Sequence, residues 1–205
     1  MLRPTGLEEP DGAAATEELP MSSLSVYHVS SPELPNKVLT HFEDIASTLA
    51  EQGVRFDRWP ATAKIRPGAS HDDVINAYQA PIDSLMTEHG LRAVDVISLD
   101  RDHPQKDSIR TSLFDEQRQD QDEVLLFASG SALISVRIDD YVYAVLCEKN
   151  DLITLPAGTR QWLDIGEQPF VVALRLSVGQ PRQANFTGDD IAGRFPRMDD
   201  LAISH

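Results

Sequence analysis

Glu123 stands in a run whose residue types and spacing could support proton transfer. Residues 117–127 read Gln-Arg-Gln-Asp-Gln-Asp-Glu-Val-Leu-Leu-Phe. On an extended strand, residues of one parity share a face, which groups Gln117, Gln119 and Glu123 with Leu125 and Phe127. A carboxylate among apolar neighbours is a candidate general acid or base. Amides beside it can donate hydrogen bonds to a carbonyl or a developing enolate. Arg175 lies in the alternating run VVALRLSV (171–178). A cation among apolar residues needs an anionic partner; Glu123 is one candidate, and a substrate carboxylate or enolate is another. The set suits proton transfer, enolisation or cyclisation of an oxygenated small molecule. Its bland counterpart is a polar network in which Glu123 merely accepts bonds from its neighbours.

The elements that must position these residues are short strands. Runs at 123–128, 132–138, 141–147, 152–155, 161–164 and 170–178 carry the signature of a closed or sandwiched β unit. Asp139-Asp140 supplies a tight hairpin turn between two of them. Upstream, 24–29 and 94–99 read as strands. A capping box of Thr40 with Glu43 predicts a helix that buries Phe42, Ile45, Ala46 and Leu49 and stops at Gly53. Val54, Phe56 and Trp59 lie on an extended piece. Ser70 predicts a second N-cap, followed by the stripe Val74, Ile75, Tyr78, Ile82, Leu85 and Met86. Pro81 should kink this helix, and Gly90 ends it. A short helix is expected within 102–116, and one helical turn at most in the tail. Trp59 and Trp162 are read as core residues.

The composition excludes some partners. A formal charge of −15 on 205 residues argues against nucleic acid and anionic membranes, which need basic patches. No apolar run approaches the ~18 residues of a membrane span. Residues 1–21 read as a flexible tail without the apolar segment of a secretory leader, and 22–205 as one domain. Cys147 is the only cysteine and is expected to be buried and inert. These features point to the cytoplasm. All six histidines lie outside residues 104–204, so none falls on a strand of the β unit. Glu116, Asp120 and Asp122 are read as a solvated loop.

Two spacings resemble the paired metal motifs of the cupin barrel. The first is Gln117-Arg118-Gln119, three residues, Glu123, six residues, Gly130; the second is Pro156-Ala157-Gly158-Thr159-Arg160-Gln161. Cupins write these with histidine at 117, 119 and 161. The segments GVRFDRW (53–59), AYQAPIDSL (77–85), DVISL (95–99), VLCEKNDLITLPAGT (145–159) and FTGDDIA (186–192) are similar to bacterial acireductone dioxygenase. The resemblance implies a mainly β fold, a cupin (double-stranded β-helix or jelly-roll) barrel with N-terminal helices packed on one side. It also implies one Fe²⁺ or Ni²⁺ held by three histidines and a glutamate, and O₂-dependent cleavage of the acireductone of methionine salvage. The corresponding positions here are Gln117, Gln119, Glu123 and Gln161. Arg175 matches an active-site arginine, whereas Leu125 replaces another. Leu163 stands for a phenylalanine, and a pocket tryptophan falls near Gln183.

Amide oxygens are weak donors for iron or nickel, so no metal and no cofactor are expected. The leading expectation is a metal-independent isomerase, cyclase or lyase on an oxygenated or polyketone small molecule, in specialised biosynthesis. Glu123 and Arg175 would then be catalytic, with Gln117, Gln119, Gln161, Leu125, Leu163 and Phe127 against the substrate. The alternatives are a non-catalytic small-molecule-binding cupin and an acireductone dioxygenase with a weak or unusual metal site.

Overall fold

The β6 strand, Glu123–Ile138, is the spine of the molecule because both halves of the barrel pair with it. A computed structural model describes residues 21–179, 183 and 185–201. Before β6 come β1 (Ser23–His28), β2 (Lys37–Leu39), α1 (Phe42–Ala50), β3 (Arg55–Arg58), α2 (His71–Ala77), α3 (Gln79–His89), β4 (Ala93–Leu99), α4 (Lys106–Phe114) and β5 (Gln117–Arg118). After it come β7 (Tyr141–Glu148), β8 (Asp151–Leu155), β9 (Arg160–Asp164), β10 (Val171–Ser177), a 3-10 turn at Ile191–Arg194, and α5 (Met198–Leu201). Of the expected tail at 1–21, only Met21 falls among the described residues.

All pairings are antiparallel. The first half of β6 lies between β8 (Glu123↔Leu155) and β10 (Glu123↔Ser177), and β3 and β4 flank these in turn. The second half lies between β7 (Ile138↔Tyr141) and β9 (Ile134↔Leu163), flanked by β1 with β2 and by β5. One strand thus passes from one sheet to the other, closing a mainly β jelly roll of the expected cupin kind. The two strands expected at 123–128 and 132–138 are one. The reason is Gly130, whose φ of +65° bends the chain without breaking the ladder. A Cβ there would sit 1.8 Å from the carbonyl oxygen of Phe170, so only glycine fits.

Alternation sorts the side chains. Leu125 and Phe127 of β6, with Val171 and Ala173 of β10, face the interior beside Ile134, Val145, Ile153 and Leu163. Val124, Leu126, Val172, Leu174 and Leu176 face outward under α2 and α3, against Val74, Tyr78 and Ile82. Trp59 and Trp162 are core residues, as expected, and Trp162 packs with Tyr27 and Phe195 under the C-terminal segment. Each fully buried Leu, Ile or Phe contributes ~1.5–3 kcal/mol, so helices and barrel share one large apolar stabilisation.

Two helix expectations are corrected. Thr40 does not cap α1: the N-cap is His41, with no side-chain cap bond. Docking of Ile45 and Leu49 in the interior fixes where the helix begins. Pro81 breaks rather than kinks its helix. The chain leaves the helix at Tyr78 (φ −117°, ψ 23°) and restarts as α3 at Gln79. Proline lacks the N–H that would reach the carbonyl of Ala77, and its ring would strike that carbonyl. In α3 it sits in the first turn, where no donor is needed. Ser70 caps α2 as expected, its Oγ accepting from the Asp73 N–H at 3.2 Å. Gly90 ends α3 in the left-handed region. No described helix is long and apolar enough to cross a membrane.

Candidate functional site

The short β5 strand brings the first two glutamines to the barrel. Gln117 pairs directly with Gln161 of β9, and both are buried. The Nε2 of Gln117 donates to the carbonyl of Ser112 at the end of α4 (2.7 Å). Gln119 is also buried, and its Nε2 donates to the Gln183 carbonyl at 3.3 Å. The Gln119 carbonyl accepts from the Gly158 N–H at 2.7 Å. Asp122 Oδ1 accepts from the Ala157 N–H at 2.7 Å. These two bonds pin the 156–158 turn over the strand, with Gly158 at φ +81° to make it.

Glu123 is 1 % exposed. Its Oε2 accepts a hydrogen bond from Nε2 of Gln161 at 2.8 Å. The motif residues 38 positions apart in sequence are therefore in contact, as the paired spacings require. Leu125, Phe127 and Leu163 belong to the interior cluster. Arg175 is 3 % exposed and sits on β10 opposite Leu125 of β6 and Asp95 of β4. It has the same parity as Val171 and Ala173, so it shares their interior face.

A cavity of about 490 Å³ runs along β4, with Asp95, Ile97, Ile109, Ser112, Leu113 and Arg175 in its wall. It meets the glutamine cluster at Ser112, whose carbonyl holds Gln117. Its wall mixes polar residues (Arg175, Asp95, Ser70, His71, Ser98, His103, Gln105 and Ser112) with apolar ones (Ile97, Ile109 and Leu113), and a cavity of this mixed lining suits a small polar molecule. Sequence reading missed α4 and β4 as walls, because their contribution depends on tertiary placement.

Glu116 corrects another expectation. It is not a solvated loop residue but 1 % exposed. Its Oε1 accepts from Thr187 Oγ1 (2.7 Å), and its Oε2 accepts from Arg137 Nη1 (3.3 Å). Arg137 also pairs with Asp189 at 2.8 Å. This clamp holds the start of β5, and hence Gln117, against β6 and the 187–189 segment. Burying one carboxylate beside an arginine is favourable only with such hydrogen bonds. The acidic neighbourhood Glu116-x-x-x-Asp120 disguised it in the sequence. Asp120 and Asp122 are exposed, as expected.

Oxygen atoms dominate the site. Among the described residues, no group of three or more His, Cys, Asp or Glu is placed to hold a metal ion. The ion donors available in the barrel are the Glu123 carboxylate and the amide oxygens of Gln117, Gln119 and Gln161. Cys147 is fully buried, and burial pushes its thiol well up.

The ARD/ARD′ family model matches residues 27–185. "Acireductone dioxygenase" of Pseudomonas fluorescens (strain Pf0-1) is 66% identical over 182 residues, 88% of this chain and 100% of that protein. The protein of that name from Pseudomonas syringae pv. tomato is 64% identical over 181 residues, with the same coverage. The solved acireductone dioxygenase from Bacillus anthracis, with a cadmium ion in its active centre, superposes with a TM-score of 0.66 at 22% identity. That match covers 78% of this chain and 94% of that one, and it bears on the fold. The relatives correct the leading functional expectation. Proteins this similar over their whole length carry a dioxygenase name, which overturns the metal-independent isomerase or cyclase in favour of the dioxygenase alternative.

Proposed function

The chain belongs to the ARD/ARD′ family, and from this premise we propose that it acts on acireductone as a dioxygenase of methionine salvage, with a weak metal site. The observation that carries the reading is the 66% identity spanning the whole of a relative so named. The motif spacing supports it: by the resemblance read in the sequence, Glu123, Gly130, Gly158 and Arg175 match positions expected of the family.

Arg175 is assigned to an anionic end of the substrate, a carboxylate or enolate. The planar guanidinium of Arg175 presents paired N–H donors to its two oxygens. Leu125, Phe127 and Leu163 exclude water from the interior, which strengthens that pairing. The cavity along β4 adds an apolar wall at Ile97, Ile109 and Leu113. Glu123 supplies a carboxylate on the same face.

This donor set fits tight binding of the family's Fe²⁺ or Ni²⁺ poorly, so any such ion would be held weakly and exchange freely. By spacing, Gln117, Gln119 and Gln161 stand where the family has histidines. Neutral amides replace three imidazoles, and the Gln161 N–H is spent on the Glu123 carboxylate at 2.8 Å, the one oxygen donor of full charge. No step is therefore assigned to a resident iron or nickel.

The reading is tested by following acireductone loss and O₂ uptake under air, with Fe²⁺ or Ni²⁺ supplied in excess. Turnover that depends on added metal is expected. Acireductone that neither binds nor disappears above the uncatalysed rate at any metal level would overturn the assignment.

A further inference from the structure

Three arginines stand in one row across the outside of the barrel. Arg118 of β5 lies directly opposite Arg160 of β9, and Arg160 lies directly opposite Arg137 of β6. Residues so paired share a face, with Cβ atoms ~4.5–5.5 Å apart. The face is the outer one. The next row along the same strands is Gln117, Gln161 and Val136, and Val136 belongs to the interior cluster. Like charges directly opposite one another are destabilising, and this chain carries −15 overall. Acids to relieve the row are plentiful, yet relief reaches one arginine only.

Arg137 takes both neighbouring carboxylates, Glu116 at 3.3 Å and Asp189 at 2.8 Å. Those acids have further duties: Glu116 accepts from Thr187 Oγ1, and Asp189 accepts from the Ile191 N–H. Among the described residues, neither Arg118 nor Arg160 forms an ion pair. Arg118 is exposed and Arg160 half-buried. We propose that Arg118 and Arg160 form a binding site for a phosphate dianion, free or as a monoester. Each planar guanidinium presents a fork that matches two oxygens of an oxyanion. A carboxylate has oxygens for one fork, whereas a tetrahedral phosphate serves both. The negative charge of the chain as a whole repels polyanions, so the fitting ligand is small.

The place of the site gives it a consequence. Arg118 follows Gln117 and Arg160 precedes Gln161, so the anion sits behind two of the interior glutamines. Bridging the arginines staples β5, two residues long, to β9. The wall of the β4 cavity includes neither arginine, so ligands of the two places do not compete.

The experiment titrates the full chain with inorganic phosphate by calorimetry, at pH 8 and fixed ionic strength. One saturable site per chain is expected, with a dissociation constant of about 1 mM, the scale of two charge-assisted pairs facing water. Methyl phosphate that binds as well assigns the site to monoesters too; methyl phosphate that does not bind assigns it to the free ion. Acetate should bind at least about tenfold more weakly. Phosphate at ten times its dissociation constant should slow exchange of the Arg118 amide by about tenfold. Arg160→Gln should abolish saturation. Arg118→Glu should abolish it as well, and should melt about 1–3 °C higher in chloride buffer because opposite charges replace like ones. Misfolding does not produce that gain. The absence of a saturable phosphate site on the wild-type chain would overturn the proposal. So would acetate binding as tightly as phosphate, an Arg118 amide indifferent to phosphate, or an Arg118→Glu variant that still binds phosphate or melts lower than wild type.

Discussion

Arg175 is 3 % exposed, and its removal tests the substrate-binding role proposed for it. Arg175→Ala should weaken acireductone binding by about 10–150-fold, the equivalent of the ~1.5–3 kcal/mol of a charge-assisted hydrogen bond. Arg175→Lys should fall between, because a point charge replaces a planar fork. KM, or the titration of an unreactive analogue, reads both. Cys147 gives a second residue-level expectation. It is wholly buried, and burial pushes its thiol well up, so an aromatic disulfide reagent should label it only as fast as the protein unfolds. Rapid labelling of native protein would contradict the packing described for β7. At this scale the sequence was most legible at the burial of Cys147; the parity read for Gln117, Gln119 and Glu123 assumed one strand, whereas the chain leaves the ladder after Arg118 and re-enters it at Glu123. It was least legible at Glu116. A carboxylate beside other acidic residues looks solvated until the chain folds Arg137 and Thr187 onto it.

Among the elements, β6 depends on one backbone conformation. Gly130→Ala would demand φ +65° of an L-residue and place its Cβ 1.8 Å from the Phe170 carbonyl oxygen. A loss of ~3 kcal/mol or more is expected, measurable by urea unfolding. The strand β5 is two residues long and relies on its clamp. Glu116→Ala leaves Arg137 with Asp189 and strips Thr187 of its acceptor, at a cost of about 2–4 kcal/mol. Hydrogen exchange should show the Arg118 amide, which donates to the Asn185 carbonyl at 2.9 Å, opening faster than the amides of β6. Strand positions were readable because alternation and turn residues agree from Val124 onward. The disturbance by Pro81 was readable, but not that the helix would part at Tyr78 rather than bend, because proline acts on the turn before it and leaves open whether that turn kinks or breaks. Gly130 was visible as a motif residue, but not as a bend, since its neighbour Phe170 comes from another strand.

For the whole molecule, acid acts in two opposite directions. Burial raises Asp151 and Glu148 above their ordinary 3.8 and 4.5, with hydrogen bonds from Ser22 and the Glu148 N–H only partly opposing it at Asp151. Groups with raised values favour the fold when protonated, so their contribution is complete below those ordinary values and is lost as pH rises through the raised ones. Asp164 behaves otherwise. Burial works to raise it, but the bonds from Arg110, Met198 and Gly166 prevail and hold it below 3.8. Its contribution is present above 3.8 and lost as pH falls through the lowered value. Melting temperature should therefore climb modestly as pH falls from neutral through the raised values of Asp151 and Glu148, and drop as pH falls below 3.8 through the lowered value of Asp164. Arg110→Ala, which frees Asp164 and the Asp199 of α5, should cost about 2 kcal/mol at neutral pH, with a gap that narrows in the acid range. Asp151→Asn should flatten the climb. A gap that stays constant down to pH 2 would exclude Asp164 as the group responsible.

The shared spine also sets an order of events during synthesis. β4 is complete by Leu99, yet the strand it pairs with, β10, begins only at Val171. The same late strand covers one flank of β6. A nascent chain that has emerged only through β9 thus carries two open strand edges, each an invitation to a neighbouring polypeptide. Ribosomes that stall or terminate before Val171 should yield aggregates rather than a smaller folded protein, stops just after Ser177 should close both edges but leave Trp162 and the Glu116 clamp uncovered, and only stops beyond Met198 should yield fully stable chains. Sedimentation of a nested series of truncated products would locate that boundary directly, and with it the moment at which the barrel first becomes self-sufficient.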